Sequence, residues 1–290
     1  MHSIVLERPH DGELTRESWG IREAPMRPHP DRWTDQGLYA AWLGHSSVLL
    51  KIDGTTILTD PVLGRRVGID FKLFTLGLKR LVGPALRVRE LPKIDLILLS
   101  HAHFDHFDTA TLQRLEDRGT RVVTASRTAD LLRANRYAGV TELGWGEGTT
   151  AGPLEIRAFQ VKHWGARMQR DTYRGFNGYT IETGGYRILF GGDTALSGSF
   201  RQLKTSRPFD LALMPIGAYN PWIHAHCTPE QAMQMANEAG AEFILPIHHQ
   251  TFRLSREPYF EPIERAYAAA GSATDRIALG QIGQEFRFPA

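Results

Sequence analysis

One short run of the chain constrains its fold and chemistry more than any other. Residues 94–100 read IDLILLS, the almost wholly apolar pattern of a central strand buried on both faces. The next six residues, HAHFDH, contain four metal-ligand types: His101, His103, Asp105 and His106. Four polar groups at the open end of a core strand are costly unless something binds them. The sequence therefore predicts a buried strand that ends in a loop of metal ligands.

The ligands of such a site must be imidazole and carboxylate groups. The 290-residue chain has 12 histidines and 1 cysteine, which excludes a disulfide framework and a site built from several thiolates. Nitrogen and oxygen ligands of this kind suit Zn²⁺ or a similar divalent ion. Because four ligands on so short a loop cannot surround one ion comfortably, we expect two adjacent metals. His101 and His103 would bind one ion, and Asp105 and His106 the other.

Three further candidates follow other predicted strands. They are His163, Asp193 and His248, and each stands where a β-like run breaks into a polar loop. Each also has an ordinary structural alternative, since a histidine at a strand end can satisfy a carbonyl and an aspartate can cap a turn. Their shared context favours the set as ligands, with Asp193 placed to bridge both ions.

Apolar patterns elsewhere predict a mixed architecture of strands and helices. Helices are expected from Thr109, with Asp108 as N-cap, and at residues 128–136, 229–239 and 261–270. Strands are expected at residues 38–43, 47–52, 55–59, 121–125, 154–159, 179–183, 187–190, 211–215, 243–246, 276–279 and 285–288. This alternation through both halves of the chain predicts two packed sheets with helices outside them.

Two segments stand apart from this alternation within one predicted domain over residues 1–290. Residues 1–35 are rich in Pro, Arg and His, which is typical of an irregular arm. Residues 62–92 carry seven basic and two acidic side chains among many apolar ones. Such a stretch suits contact with anionic lipid or with a phosphate-bearing substrate. The alternative is a partly helical excursion that covers the core.

Charge and apolar patterning limit the location and the partners. The net charge of +2 gives no reason to expect nucleic acid. No apolar run approaches the roughly 18 residues that a membrane-spanning helix needs, and the N-terminus lacks the apolar core of a secretory signal. We therefore expect a cytoplasmic protein with peripheral membrane contact through residues 62–92. No P-loop, dinucleotide-binding glycine motif, G-x-S-x-G or H-E-x-x-H string occurs.

The HAHFDH loop and the later histidines and aspartates resemble those of the metallo-β-lactamase superfamily. Within it the sequence is most similar to N-acyl-phosphatidylethanolamine-hydrolysing phospholipase D and its bacterial relatives. The superfamily motif is highly specific, whereas the subfamily likeness depends on the PIGAY and HWGAR strings. The matching strings are WLGHSSVLL (42–50), LTDP (58–61), LPKIDLILLSHAHFDHFD (91–108), HWGAR (163–167), FGGDT (190–194), PFDLALMPIGAYNPW (208–222), HCTPEQA (226–232) and HHQTF (248–252).

This resemblance implies an α/β (α+β) fold, a four-layer αββα sandwich with two metals in the cleft. One ion, most simply Zn²⁺ with Mn²⁺ or Fe as alternatives, would bind three histidines, and the other an aspartate and two histidines. The implied sets are His101, His103 and His163; Asp105, His106 and His248; and Asp193 as the bridge. The family usually has Trp-Gly after its last ligand, whereas His249 and Gln250 follow His248 here, so His249 is a competing candidate.

The resemblance also implies roles around the metals. A metal-bridging hydroxide would be the nucleophile, oriented by Asp105 and Asp193. His226 would orient the substrate or protonate the leaving group, or else cap the turn beside Thr228. His45 and Asp60 would support the ligands from behind by hydrogen bonds. Trp164 and Tyr219 would line the substrate pocket, although lone aromatic residues are more often packing residues.

The implied activity is that of a phosphodiesterase of phospholipase D type. Its substrate would be an N-acyl-phosphatidylethanolamine-like lipid or a related phosphodiester. The alternative is a lactonase or phosphoester hydrolase for a soluble metabolite, similar to L-ascorbate-6-phosphate lactonase. A metal-binding module without activity would be expected to lack a ligand, yet all seven positions are filled. The resemblance also implies that two copies of the chain can pair as a homodimer.

Overall fold

Two stacked β-sheets form the frame of the protein in the computed structural model, which describes residues 20–71 and 74–288. The helices are α1 (Thr109–Arg114), α2 (Pro229–Ala239) and α3 (Glu261–Ala270). The strands are β1 (Leu38–Gly44), β2 (Ser47–Ile52), β3 (Thr55–Thr59), β4 (Arg66–Asp70), β5 (Thr75–Lys79), β6 (Leu96–Leu98), β7 (Arg121–Ala125), β8 (Gly139–Leu143), β9 (Gly148–Ala151), β10 (Leu154–Phe159), β11 (Gly178–Glu182), β12 (Arg187–Phe190), β13 (Phe209–Pro215), β14 (Ala241–Ile247) and β15 (Glu285–Arg287).

The first sheet has seven strands in the order β15-β1-β2-β3-β6-β7-β8, and the second has six in the order β14-β13-β12-β11-β10-β9. Strands β3, β6, β7 and β8 are parallel neighbours, as are β12, β13 and β14. Strands β4 and β5 form a separate two-stranded hairpin. The parallel segments matter for function because their carboxyl ends open toward loops that can carry a site.

Alternation along the second sheet sends successive side chains to different layers. On β13, Leu211 and Leu213 join the core shared with the first sheet, whereas Ala212 and Met214 pack in the cluster that contains α2 and α3 residues. This period of two is what a strand buried on both faces requires. The predicted sandwich of the metallo-β-lactamase type is confirmed, although α1 has only six residues.

Helix α2 begins and ends where the sequence predicts. Thr228 accepts a hydrogen bond from the backbone of Gln231, whose side chain caps Thr228 in return. Gly240 ends the helix in the left-handed conformation. The predicted N-cap Asp108 and the bounds of α3 are likewise confirmed.

Three local predictions are wrong. Residues 128–136 form two short 3₁₀ turns, because Leu132 between them is extended and packs with Leu131 against the core. The predicted strand at residues 276–279 does not form: a 3₁₀ turn (Thr274–Arg276) ends at its first residue, and one isolated bridge at Ile277 follows. The segment 62–92 contains the β4–β5 hairpin and one 3₁₀ turn rather than an α-helix.

Residues 20–35 of the predicted arm form one 3₁₀ turn (Pro30–Arg32), while residues 1–19 of the arm, and Lys72 and Leu73 of the basic segment, lie outside the described residues. In the described part of the chain, no helix has the length and apolar character needed to cross a bilayer. The one-domain organisation remains our proposal.

Candidate metal centre

Four loops that follow strand ends converge on one place between the two sheets. His101 follows β6, His163 follows β10, Asp193 follows β12, and His248 follows β14. The sheets are joined beside the first of these by a bridge between His101 and Phe176. Convergence at carboxyl ends of strands is the usual position of a ligand site in such sheets.

Three histidines form a first cluster with their ring nitrogens facing one another. Nδ1 of His103 lies 2.9 Å from Nε2 of His101 and 3.2 Å from Nε2 of His163. All three could hold one metal ion, since their candidate ligand atoms lie within 4.8 Å of one another. This is the trio that the sequence predicts for one ion.

A second cluster contains Asp105, His106 and His248. Oδ2 of Asp105 lies 3.6 Å from Nε2 of both histidines. Nε2 of His45 is closer still, at 3.0 Å from the same oxygen, and joins the group of atoms that could hold an ion. His45 therefore contacts Asp105 directly as a member of this group, whereas the sequence predicted that it supports the ligands from behind.

Asp193 lies between the two clusters. Its Oδ2 is 3.1 Å from Nε2 of His106 and from Nε2 of His248 in the second cluster. The same oxygen is 3.9 Å from Nε2 of His101 and 3.8 Å from Nε2 of His163 in the first. A single buried carboxylate that reaches both clusters has the placement of a bridging ligand.

The carboxylates make the centre attractive to positive charge. Burial opposes ionisation of Asp193, but His106 and His248 outweigh it and hold the pKa of Asp193 well below its usual value. Burial likewise opposes charge on His106, yet Asp193 and Asp105 raise the pKa of this histidine well above its usual value. For His101 and His163 burial dominates, and the pKa of each lies well below the ordinary value.

Unsatisfied atoms show that the residues fit a metal. Buried side-chain atoms without any hydrogen-bond partner include Nε2 of His106, Nε2 of His248 and Oδ1 of Asp193. Buried polar atoms are normally paired, so several orphans aimed at one point call for a ligand. Imidazole nitrogen and carboxylate oxygen are the donors that zinc and other divalent transition metals accept. The donor set therefore fits divalent metal ions.

The opposite ring nitrogens of the candidate ligands are held by other groups. Nδ1 of His106 lies 2.7 Å from Asp60, and Nδ1 of His163 donates to the carbonyl of Ala225 at 2.9 Å. Nδ1 of His101 lies 2.8 Å from Oγ of Ser100, whose hydroxyl in turn donates to Asp60. Such contacts fix the ring orientation and tautomer of metal-binding histidines. Asp60 is thus positioned as the sequence predicts for a supporting residue.

The backbone around the centre is held in uncommon conformations. His45, Asp60 and His248 all have positive φ, at 54°, 32° and 65°. Residues other than glycine rarely adopt this region of φ, and such backbone strain is often found at functional sites. Gly217 lets the His248 loop approach, because a Cβ there would lie 2.1 Å from the carbonyl oxygen of His248.

Of the remaining predicted site residues, His226 and Trp164 lie beside the centre, whereas the contacts of Tyr219 lead away from it. His226 is buried with Nδ1 3.9 Å from Oδ2 of Asp193, and Trp164 is 44% exposed with its ring 4.4 Å from that of His163. Tyr219 is buried instead, and its hydroxyl donates to Glu261 of α3. Its predicted contact with substrate has no support in these contacts.

His249 does not share the centre. Its ring stacks on Trp42 with centroids 4.5 Å apart, and among the described residues it belongs to none of the groups that could hold an ion. The geometry favours His248 over His249 as the candidate ligand.

Sequence reasoning gave no role to Arg167. Its Nη1 donates to the carbonyls of Ala102 and Phe107, both at 2.8 Å, and its guanidinium lies 4.0 Å from the centre of the Phe104 ring. One side chain therefore holds both ends of the His101–His106 loop. The available signal was the last position of the HWGAR string, which marked a family likeness but gave no role to the arginine.

Comparisons with known proteins identify the family of the chain. Residues 55–249 match the family model of the β-lactamase superfamily domain. An uncharacterised protein of Mycobacterium tuberculosis is 34% identical over 286 residues, covering 93% of this chain and 75% of that protein. N-acyl-phosphatidylethanolamine-hydrolyzing phospholipase D 1 of Caenorhabditis elegans is 30% identical over 253 residues, covering 81% of this chain and 70% of that protein.

A solved structure shows the same fold. The isothiocyanate hydrolase from Delia radicum gut bacteria superposes with a TM-score of 0.70 at 17% identity, covering 87% of this chain and 100% of that protein. At this sequence identity the structural similarity shows only that the two proteins share a fold.

Proposed function

The chain belongs to the metallo-β-lactamase superfamily and is a metal-dependent hydrolase, and on that premise we propose that it is a dinuclear phosphodiesterase of phospholipase D type. The observation that carries the dinuclear site is the position of Asp193, whose Oδ2 lies within 3.9 Å of nitrogens from both histidine clusters. Two divalent ions, most simply Zn²⁺ with Mn²⁺ or Fe as alternatives, would occupy the two clusters.

The reaction adds water to phosphorus, breaks one P–O ester bond and delivers a proton to the leaving oxygen. The two histidine clusters and Asp193 would hold the metal ions, which when bound would supply an activated water at neutral pH and neutralise negative charge on the phosphoryl group. Asp193 and Asp105 orient the attacking water by accepting its hydrogen bonds. His226, with Nδ1 buried and without a partner, faces the same space and donates to an ester oxygen.

Two observations support a lipid-like phosphodiester over a soluble metabolite. The first is the similarity to the phospholipase D of C. elegans over 81% of this chain. The second is Trp164, half-exposed and packed on His103 and His163, which provides an apolar wall at the mouth of the centre. A cytoplasmic location is part of the proposal because the single cysteine, Cys227, is buried and free, as a reducing compartment permits.

The decisive experiment measures metal content and substrate profile together. Purified protein loaded with Zn²⁺ should hold two ions per chain and release phosphatidic acid from N-acyl-phosphatidylethanolamine in mixed micelles. Asp105→Ala should abolish turnover while the melting temperature under metal-free conditions stays within a few degrees of wild type. Hydrolysis of sugar-phosphate lactones with no cleavage of any phosphodiester would replace this proposal with the lactonase alternative, and undiminished activity in Asp105→Ala would refute the mechanism.

A further inference from the structure

The β4–β5 hairpin has one face built of apolar side chains. In its register Val67 pairs with Leu78 and Ile69 with Leu76, so these side chains point to the same side. Phe71 and Phe74 extend that side at the end of the hairpin, where their rings stack with centroids 5.2 Å apart. We call this set of six side chains the apolar face.

Most of the apolar face is open to solvent. The exposed fractions of its five outer side chains run from 40% for Ile69 to 62% for Leu76. Only Val67, next to the body of the protein, is buried, at 4% exposed. A lone two-stranded hairpin is marginally stable in water, and a contiguous exposed apolar patch normally marks an interaction surface. The apolar face therefore needs a partner.

The other end of the hairpin is basic. Arg66 pairs with Lys79 where the two strands leave the body, and Arg65 immediately precedes them. We call these three residues the basic collar. Residues 65–79 contain four basic side chains and one acidic one. An apolar end beyond a basic collar is complementary to a bilayer, where acyl chains lie beneath anionic headgroups.

The hairpin stands beside the metal centre. Val67 packs in one cluster with Val62 and Phe252, and Phe104 packs against that cluster. Phe104 lies in the candidate ligand loop between His103 and Asp105, and the Phe252 ring is 5.2 Å from that of His45. A bilayer that received the hairpin would thus lie close to the site of hydrolysis.

We propose that the β4–β5 hairpin inserts its apolar face into an anionic membrane and so brings the metal centre to a phospholipid surface. This inference rests on the proposed function, because it deepens the lipid substrate class. From Arg66 to Phe71 the strand advances roughly 17 Å at about 3.3 Å per residue. That length lets the outer aromatic pair reach the acyl boundary, about 5–10 Å below the headgroups, while the basic collar stays among them.

A second copy of the chain is the competing occupant of this face. Two hairpins packed through their apolar faces would bring two basic collars close together, and their like charges would repel each other. The bilayer satisfies both the apolar face and the collar at once. The charge pattern therefore favours lipid, and pairing of copies becomes an outcome that the experiment distinguishes.

The test uses the full-length, metal-loaded protein and vesicles that contain no N-acyl-phosphatidylethanolamine. Wild type should sediment with phosphatidylcholine vesicles that contain about one quarter phosphatidylserine, and less with pure phosphatidylcholine or at high salt. Phe74→Ser/Leu76→Ser should weaken anionic-vesicle binding about tenfold or more. Met26→Ser, which removes a side chain that is 45% exposed on another segment, should bind as wild type does.

Each alternative result has a distinct meaning. Unchanged binding of the double variant, with its melting temperature intact, would overturn the proposal. The proposal would also be overturned if the wild type does not bind vesicles and is a dimer in light scattering, while the double variant is a monomer. Hydrolysis of a soluble diester by the double variant should equal that of wild type. If vesicle binding follows this pattern while no diester is cleaved, the proposed function fails and the membrane proposal stands.

Discussion

The carboxylate of Asp60 lies 2.7 Å from Nδ1 of His106, and both side chains are completely buried. Asp60 also accepts hydrogen bonds from the backbone and the hydroxyl of Ser100, at 2.7 and 2.6 Å. Ser100 in turn contacts His101. One buried side chain therefore orients a histidine in each of the two clusters.

Asp60→Asn should lower metal affinity by roughly 10–100-fold, which is the usual cost of losing a partner that orients a metal-binding histidine. The asparagine keeps the volume but removes the charge that polarises the His106 ring. Competition with a coloured chelator measures the affinity. Asp35→Asn is the matched control, because the side chain of Asp35 is 85% exposed and forms an ion pair with Lys51 far from any candidate ligand in the sequence. Equal affinity in Asp60→Asn and Asp35→Asn would show that Asp60 has no orienting role.

Arg167→Met should disturb the ligand loop without touching a candidate ligand. The change leaves the carbonyls of Ala102 and Phe107 without their partly buried donor, at a cost of up to about 1–3 kcal/mol each. We expect a lower melting temperature, weaker zinc binding and a fall in kcat with little change in KM. Arg167→Lys should recover only part of the loss because it lacks the planar group that lies over Phe104.

The control for this change is Arg170→Met, which removes an exposed arginine from the same segment. It should leave both metal affinity and melting temperature at wild-type values. If Arg167→Met behaves like Arg170→Met, the loop is rigid without the arginine.

The sequence predicted best where one local pattern decides the structure. The capping pair of Thr228 and Gln231 determines α2, and the apolar run before His101 determines the central strand. Residues 128–136 have helical composition, yet Glu142 accepts from the backbone of Thr128 and Ala129 and holds the segment in short turns. That contact spans 14 residues, and no local pattern contains it.

The candidate site was predictable from the sequence to about the same extent as the fold. Strand-end position was enough to group His163, Asp193 and His248 with the HAHFDH loop, because carboxyl ends of strands converge. The direct contact of His45 with Asp105 depends on a tight turn with positive φ, and the clasp of Arg167 depends on two loops meeting. Side chains that act through tertiary contacts leave no periodic signal in a sequence.

His226→Ala should reduce turnover and spare the metals. The His226 side chain is buried, with 7% of its surface exposed, and its Nδ1 has no hydrogen-bond partner. Loss of a positioned proton donor typically costs about 10²–10⁴-fold in kcat. Metal content by mass spectrometry should remain at the wild-type value. His224→Ala, an exposed histidine two residues away, should keep full activity. Loss of metal in His226→Ala would instead make His226 a ligand.

Removal of metal should destabilise the protein, because it leaves buried, unpaired atoms on His106, His248 and Asp193. A ligand present at about 100 times its dissociation constant adds about 2.7 kcal/mol per site to folding. Dialysis against EDTA should therefore lower the melting temperature by several degrees, and stoichiometric Zn²⁺ should restore it. The double variant Asp105→Ala/Asp193→Ala lacks the carboxylate of the second cluster and the carboxylate between the clusters. Its melting temperature should respond much less to EDTA and Zn²⁺. A melting temperature that EDTA leaves unchanged, after loss of metal is verified by mass spectrometry, would contradict a metal-stabilised centre.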